Sequence, residues 1–205
     1  MFNGSERECR KALQPLIDLL PDEKKYRDIW RQGSYSELND YLLSYPTELP
    51  ANVPASVRAL GSSRIIGRKL TVAEWRQIVE FYKATPSSNN VIDLEPYGGA
   101  INAPAPDATT AFCQRRASLD AVLWSFWLYE HRHKDAEEYL KKFDQVVTPL
   151  SNGESYQNYP NRDNRDFGRM YFGGNLERLV EIKRKYDPDD LFAFQQGLLK
   201  ASLAG

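Results

Sequence analysis

The densest group of chemically active residue types lies near the C-terminus of this 205-residue chain. Five aromatic residues alternate there with three arginines: Tyr156, Tyr159, Arg162, Arg165, Phe167, Arg169, Tyr171 and Phe172. Rings interleaved with basic side chains can stack nucleobases. However, residues 162–190 hold seven basic and seven acidic residues and the whole chain has a formal charge of −1, so the positive field that nucleic acid requires is absent. Two interpretations stay open: a surface segment held by tyrosine hydroxyls and Arg–Asp pairs, or the wall of a small-molecule pocket.

Histidine and cysteine chemistry is nearly excluded, because the chain has two residues of each type. His131 and His133 follow a predicted strand. Without a third ligand nearby they are interpreted as a solvated basic turn, and no metal site is predicted. Cys9 and Cys113 are too few for a disulfide framework or a four-ligand zinc site. Cys9 falls on the apolar stripe of a predicted helix, so we expect it in a core.

Phosphate-binding loops and membrane segments are not indicated either. Gly98-Gly99 and Gly173-Gly174 lack the spacing of the known phosphate-binding loops. No stretch approaches the ~18 apolar residues of a membrane span. The first residues are typical of an amphipathic helix rather than of a signal peptide. We therefore expect a cytoplasmic protein with no nucleic-acid or membrane partner.

Amphipathic helices are predicted before, between and after the candidate strands. Ser5 with Glu8, and Thr71 with Glu74, have the spacing of capping boxes, in which each pair satisfies free backbone N–H groups. Further helices are predicted from Ser34, over the apolar face of residues 136–147, and after Asn175, a candidate N-cap.

Strands are predicted at residues 62–67, 91–95, 111–112 and 119–129. The last is apolar on both faces, so both of its sides must be covered. This order predicts an α+β fold: an antiparallel or mixed sheet with helices packed on one face, plus a loop-rich C-terminal segment. The polar run at residues 151–165 marks the boundary between the two parts, 1–150 and 151–205.

Three ordered motifs resemble one protein family. The first runs from Leu94 to Ile101 (LEPYGGAI) and continues with Thr110-Ala111-Phe112 and Arg115. The second is Ser155–Tyr159 (SYQNY), followed by Asp163. The third runs from Tyr171 to Leu179 (YFGGNLERL) and on to Phe192. Their order and spacing resemble the C-terminal half of the berberine-bridge-enzyme-like FAD-linked oxidases of the vanillyl-alcohol-oxidase superfamily.

The resemblance implies a function in two parts. Residues 1–150 would be a substrate-binding-type domain, and residues 151–205 a C-terminal segment that packs on an FAD-binding domain absent from this sequence. The implied activity is oxidation of an alcohol, sugar or natural-product-like substrate by hydride transfer to FAD. FAD would not be bound by this chain alone, so an FAD-binding domain or polypeptide is expected in trans. The alternative is a non-catalytic ligand-binding or interaction module that has lost the flavin domain, and a homodimer is a further expectation.

The resemblance also assigns site residues by position. Tyr156 is the catalytic candidate, because a tyrosine there can orient the substrate or remove its proton. Asn158 and Tyr159 are the cofactor-binding candidates. Substrate-binding candidates are Tyr97, Leu123 and Trp124. Relatives place polar residues near Ala121 and Leu123, and the apolar side chains of this chain suggest a hydrophobic substrate or weakened catalysis.

Overall fold

The computed structural model describes residues 3–19, 31–43, 58–85, 90–104, 110–127, 129 and 132–201. The chain divides into two compact units, Met1–Val53 and Pro54–Gly205. No described helix combines the length and the apolar character that a bilayer crossing requires.

The first unit contributes two described helices, α1 (Glu6–Ile17) and α2 (Tyr35–Leu43). The predicted capping box of α1 is confirmed: Ser5 Oγ accepts a hydrogen bond from the Glu8 backbone N–H, and Glu8 accepts one from the Ser5 N–H. Ser34 and Glu37 make the same reciprocal pair before α2. The prediction that Cys9 is a core residue is wrong, because no residue of α1 is buried and Cys9 is only half-buried.

The second unit is built on a three-stranded antiparallel sheet with the strand order β1-β3-β2. Its strands are β1 (Arg58–Ile66), β2 (Asn90–Pro96) and β3 (Leu119–Trp127). The helices of this unit are α3 (Val72–Lys83), α4 (His133–Val147), α5 (Phe167–Phe172), α6 (Leu176–Tyr186) and α7 (Leu198–Ala201). The predicted α+β class is therefore confirmed, and the sheet is antiparallel.

Helices cover one face of the sheet and form the main core with it. Ala121 and Leu123 of β3 pack with Phe143 and Val147 of α4 and with Ile78 of α3. Leu123, Phe143 and Val147 are fully buried. Burial of this apolar surface is the main stabilising term of the unit.

Two local predictions fail in the second unit. Residues 111–112 form no strand. They belong to a loop, residues 110–118, that is hydrogen-bonded to the C-terminal segment. Within this loop, Gln114 Nε2 donates to the backbone carbonyls of Ser155 and Tyr171. Asn175 precedes α6 but does not cap it with its side chain. Its Nδ2 donates to the carbonyl of Thr110 at 3.1 Å.

The C-terminal segment is held by the hydroxyl of Tyr171, which is buried. Tyr171 Oη accepts hydrogen bonds from the Asn161 N–H at 3.0 Å and from Asn164 Nδ2 at 3.1 Å, and donates to Gln196 Oε1 at 3.2 Å. Asn161 Nδ2 also donates to Ser62 Oγ on β1 at 3.2 Å. Contacts place this segment in the same compact unit as the sheet. A functional division at residue 150 stays a prediction.

Candidate functional site

The sheet has a second face, on the side opposite α4, to which β3 contributes Asp120, Val122, Trp124 and Phe126. Side chains of successive strand residues point to opposite faces. Ala121 and Leu123 face the helices, so Asp120, Val122 and Trp124 face the other way. This second face is the site face, and the C-terminal segment lies across it.

Residues 154–156 are bonded to β1, which fixes the C-terminal segment on the site face. The Ile65 N–H donates to the Glu154 carbonyl at 3.0 Å. The Tyr156 N–H donates to Ser63 Oγ at 3.0 Å. Because both bonds use backbone groups of the segment, its path is set independently of which side chains it carries.

A continuous row of six aromatic rings runs over the site face; we call it the aromatic row. In order, its members are Tyr97, Phe112, Tyr156, Tyr159, Trp124 and Phe126, with neighbouring ring centroids 5.3–6.2 Å apart. Three of the five contacts are edge-to-face, a favourable arrangement for aromatic quadrupoles. The guanidinium of Arg115 lies 4.6 Å from the Phe112 ring centroid at one end of the row.

Asp120 lies fully buried on the same face. Both of its carboxylate oxygens accept from Ser63 Oγ at 2.8 Å. Burial raises the pKa of Asp120 to about 6, while the hydrogen bond from Ser63 opposes that rise. The nearby charge of Glu95 raises the pKa further. Asp120 is therefore mostly ionised at neutral pH and becomes neutral under mildly acidic conditions.

The hydroxyl groups of Tyr97 and Tyr159 keep their protons. Tyr159 Oη donates to Glu95 Oε1 at 2.8 Å. Burial, followed by this hydrogen bond and the charge of Glu95, raises the pKa of Tyr159. Burial and the charges of Asp120 and Glu95 raise the pKa of Tyr97. Both phenols can therefore donate hydrogen bonds but are unsuited to act as bases.

Tyr156 lies at the centre of the aromatic row with an amide donor beside its hydroxyl group. Asn158 Nδ2 donates to Tyr156 Oη at 2.8 Å. This bond occupies one lone pair of the phenol oxygen and leaves the phenol proton available to another acceptor. Tyr156 is half-buried and Asn158 is exposed, so a ligand on the site face can reach both.

The structure brings five of the six candidate site residues together: Tyr97, Trp124, Tyr156, Asn158 and Tyr159. Leu123 is placed elsewhere, in the core under α4, with no exposed surface. Since Ala121 shares that face, the apolar character of these two positions reflects core packing. It does not support the inference of a hydrophobic substrate.

Sequence analysis missed Ser63, Glu95 and Asp120. The signal for Asp120 was present, because it is the one acidic residue within the apolar run 119–127. A carboxylate in a buried strand needs a hydrogen-bonding partner. Ser63 and Glu95 carry no comparable signal, because only the pairing of β1 and β2 with β3 brings them to Asp120.

His133 is not part of a solvated turn. It begins α4, and its ring stacks on Trp127 with the centroids 5.1 Å apart. His131 lies outside the described residues. Among the described residues, no group of three or more His, Cys, Asp or Glu side chains is arranged to hold a metal ion.

Comparison with known sequences finds similarity to FAD-linked oxidoreductases. The profile of the family described as "Berberine and berberine like" matches residues 155–198, which include Tyr156, Asn158 and Tyr159. The FAD-linked oxidoreductase YvdP of Bacillus subtilis (strain 168), itself uncharacterized, is 28% identical over 207 residues, covering 97% of this chain. The chain is therefore similar to berberine-bridge-enzyme-like and FAD-linked oxidoreductases. The monolignol oxidoreductase AtBBE-like 13 of Arabidopsis thaliana is 32% identical over 117 residues, covering 50% of this chain and 22% of that protein.

Solved structures of these oxidoreductases share the fold. The wild-type BBE-like 1 of Physcomitrella patens has a TM-score of 0.78 and 22% identity, covering 95% of this chain and 42% of that one. A chitooligosaccharide oxidase has a TM-score of 0.74 and 26% identity, covering 95% of this chain and 44% of that one. The chain spans about two fifths of the length of the curated relatives that it matches, 42% of YvdP and 41% of YgaK from the same bacterium.

The side chains of the site face are chemically compatible with a flat ring system such as a flavin. The aromatic row offers rings against which a flat ring system can pack, and Asn158 lies exposed beside Tyr156 with a second amide hydrogen. The hydroxyl of Tyr159 is already engaged by Glu95. Tyr159 can therefore contact a cofactor mainly through its ring.

Proposed function

We propose that this chain supplies the substrate-side portion of an FAD-dependent oxidoreductase that oxidises an alcohol, sugar or natural-product-like substrate by hydride transfer. It acts together with an FAD-binding portion, which a separate polypeptide can supply in trans. The observation that carries the proposal is the aromatic row with Tyr156 at its centre, on the sheet face opposite the helices. The similarity to FAD-linked oxidoreductases supports the same conclusion.

Tyr156 is the proposed catalytic residue. When FAD is bound, it supplies the hydride acceptor, and the chain positions the substrate oxygen and handles its proton. Tyr156 Oη, with Asn158 donating to it, hydrogen-bonds the substrate hydroxyl as the neighbouring carbon loses hydride. The same oxygen takes up the hydroxyl proton when Tyr156 is in its phenolate form, because a neutral phenol has no place for a second proton. Asp120 acts as a positioning residue, because its carboxylate reaches Tyr156 through Ser63.

The aromatic row indicates which class of substrate the site binds. Rings stack well on sugar rings and on aromatic groups, and the protonated hydroxyl of Tyr97 can donate to substrate oxygens. We therefore favour ring-bearing substrates with several hydroxyl groups over purely aliphatic ones.

The test is the kinetics of Tyr156→Phe in the presence of an FAD-loaded partner portion. Loss of the phenol oxygen should lower kcat by roughly a hundredfold or more, with a smaller change in KM, because removing a proton-transfer group acts mainly on the chemical step. Tyr35→Phe, at an exposed tyrosine of α2, is the control and should leave both constants unchanged. An unchanged kcat in Tyr156→Phe would contradict the catalytic assignment.

A second candidate function is a ligand-binding module without flavin chemistry. The observation that favours it is that the polar groups of the site satisfy one another: Tyr159 bonds Glu95, Asn158 bonds Tyr156, and Ser63 bonds Asp120. This alternative predicts a melting temperature that rises with a small ring-bearing ligand in the absence of FAD. A melting temperature that responds to no such ligand would count against it.

Cytoplasmic localisation and homodimerisation stay predictions. Fractionation of the source cells tests the first, and light scattering of the purified chain tests the second.

A further inference from the structure

Three consecutive rings of the aromatic row are of types that are readily oxidised. Tyr156, Tyr159 and Trp124 follow one another, and the ring centroids of each neighbouring pair are 5.3 Å apart. We call these residues the oxidisable triad. A phenylalanine bounds the triad on each side, because Phe112 contacts Tyr156 and Phe126 contacts Trp124. A benzene ring loses an electron far less easily than a phenol or an indole, so an electron vacancy can move within the triad but not beyond it.

Tyr159 has a proton acceptor within hydrogen-bonding distance. Its hydroxyl group donates to the Glu95 carboxylate at 2.8 Å, and both side chains are half-buried. A phenol that loses an electron becomes a strong acid, so a neighbouring carboxylate can take its proton in the same step. Loss of that proton removes the positive charge from the ring and traps the vacancy on Tyr159. The hydroxyl of Tyr171, by contrast, donates to the neutral amide oxygen of Gln196.

The charges around the aromatic row also favour a vacancy at Tyr159. The carboxylates of Glu95 and Asp120 both act electrostatically on this residue. Negative charge lowers the free energy of a nearby ring that has lost an electron. At the Phe112 end of the row, the Arg115 guanidinium lies 4.6 Å from the ring centroid, and its positive charge has the opposite effect. Electrostatics therefore direct an electron vacancy away from Phe112 and toward Tyr159.

We propose that Tyr159 is a redox-active tyrosine, with Glu95 as its proton acceptor and with Tyr156 and Trp124 as the residues that exchange electrons with it. An oxidant of the oxygen-centred radical class takes one electron from the triad and becomes the corresponding anion. The O–H bond of Tyr159 breaks and its proton moves to Glu95, which leaves a neutral tyrosyl radical and a carboxylic acid. This function goes beyond the proposed substrate oxidation, because it draws oxidising equivalents away from the site and needs neither flavin nor substrate.

The experiment oxidises the full chain by itself with a photogenerated ruthenium(III) tris-bipyridine complex and persulfate. Tyrosyl radicals are measured by transient absorption and, after freeze-quenching, by electron paramagnetic resonance. The wild type should give a long-lived tyrosyl radical that forms more slowly in heavy water, because the proton moves with the electron. Tyr159→Phe and Glu95→Gln should each lower the yield of this radical by roughly tenfold or more, as expected for loss of a positioned proton-transfer partner. Since glutamine keeps an oxygen that can accept the hydrogen bond, the loss in Glu95→Gln reports on proton transfer.

Two variants are the matched controls. Tyr35→Phe removes an exposed tyrosine of α2, and Asp93→Asn removes an exposed carboxylate of β2, so both should leave the long-lived radical unchanged. A long-lived radical that persists in Tyr159→Phe, or equal yields from the wild type and Glu95→Gln, would overturn the assignment and leave the proposed function standing. If circular dichroism shows that Tyr159→Phe does not fold, the comparison of Glu95→Gln with Asp93→Asn decides, and equal yields from these two would overturn the assignment.

Discussion

Ser63 Oγ joins Asp120 to Tyr156: it donates to the Asp120 carboxylate at 2.8 Å and accepts from the Tyr156 N–H at 3.0 Å. One hydroxyl group therefore links the buried charge of β3 to the backbone of the candidate catalytic residue. Because Asp120 and Ser63 are fully buried, water cannot readily replace either bond.

Ser63→Ala should destabilise the chain more than an ordinary serine deletion. It removes the side-chain donor to the buried Asp120 carboxylate, which keeps its hydrogen bond from the Arg64 backbone, and the acceptor of the Tyr156 N–H. We expect a loss of about 2–3 kcal/mol in the free energy of unfolding. Ser125→Ala is the matched control, because Ser125 is buried on β3 and donates only to the neutral Asn90 Oδ1. It should cost about 1 kcal/mol. Urea unfolding measures both, and equal losses would contradict the role of the carboxylate.

Asp120→Asn should change how stability depends on pH. The pKa of Asp120 rises from 3.8 to about 6 on folding, so its contribution to stability is fully present below pH 3.8 and is lost as the pH rises through 6. The asparagine does not titrate, so the variant does not lose stability in this way as the pH rises. As the pH rises from 4 to 7, the free energy of unfolding of the variant should therefore increase relative to that of the wild type by an amount on the order of 2 kcal/mol. If the free energies of unfolding of the two proteins keep a constant difference over that pH range, folding does not raise the pKa of Asp120.

Gly61→Ala should disturb the aromatic row. A Cβ at Gly61 would lie 2.7 Å from the indole ring of Trp124, so the ring must move. We expect a destabilisation of about 1–3 kcal/mol and a shift in tryptophan fluorescence. Gly98→Ala is the control, since nothing lies within 4 Å of its added Cβ. A fluorescence spectrum unchanged by Gly61→Ala would contradict the contact between Gly61 and Trp124.

Tyr171→Phe should loosen the C-terminal segment without opening a cavity. The hydroxyl group serves Asn161, Asn164 and Gln196, so its loss leaves several buried polar groups unpaired, at a cost of about 2 kcal/mol. Hydrogen exchange should accelerate at residues 155–164 more than in α4. Uniform acceleration in both regions would indicate a global effect and argue against a local anchor.

The elements that local sequence dictates were predictable. The Thr71–Glu74 capping box and the presence of strands near β1, β2 and β3 follow from patterns within a few residues of one another. Whether the sheet is antiparallel or mixed was left open, because pairing joins residues far apart in the sequence. The proximity of Tyr97 to Tyr156 and Tyr159 was available only through the family resemblance, because Tyr97 is far from both in the sequence.

The face on which each β3 residue lies could not be read from sequence. The strand Leu119–Trp127 carries apolar residues at both odd and even positions, so alternation does not tell which set meets the helices. An error of one residue moves every side chain to the opposite face. The resemblance assigns Leu123 to the substrate by position, and the ambiguous strand pattern does not show that this side chain faces the core.

The most direct test of the central claim is anaerobic flavin reduction. The chain is mixed with the FAD-loaded part of YvdP that lies outside its match to this chain. A panel of sugars and ring-bearing alcohols is then added without oxygen. We predict that the yellow flavin absorbance bleaches only when this chain, the FAD-loaded portion and a substrate are all present, and that Tyr156→Phe slows the bleaching. Stable complexes that no substrate bleaches, or bleaching at the same rate without this chain, would contradict the account.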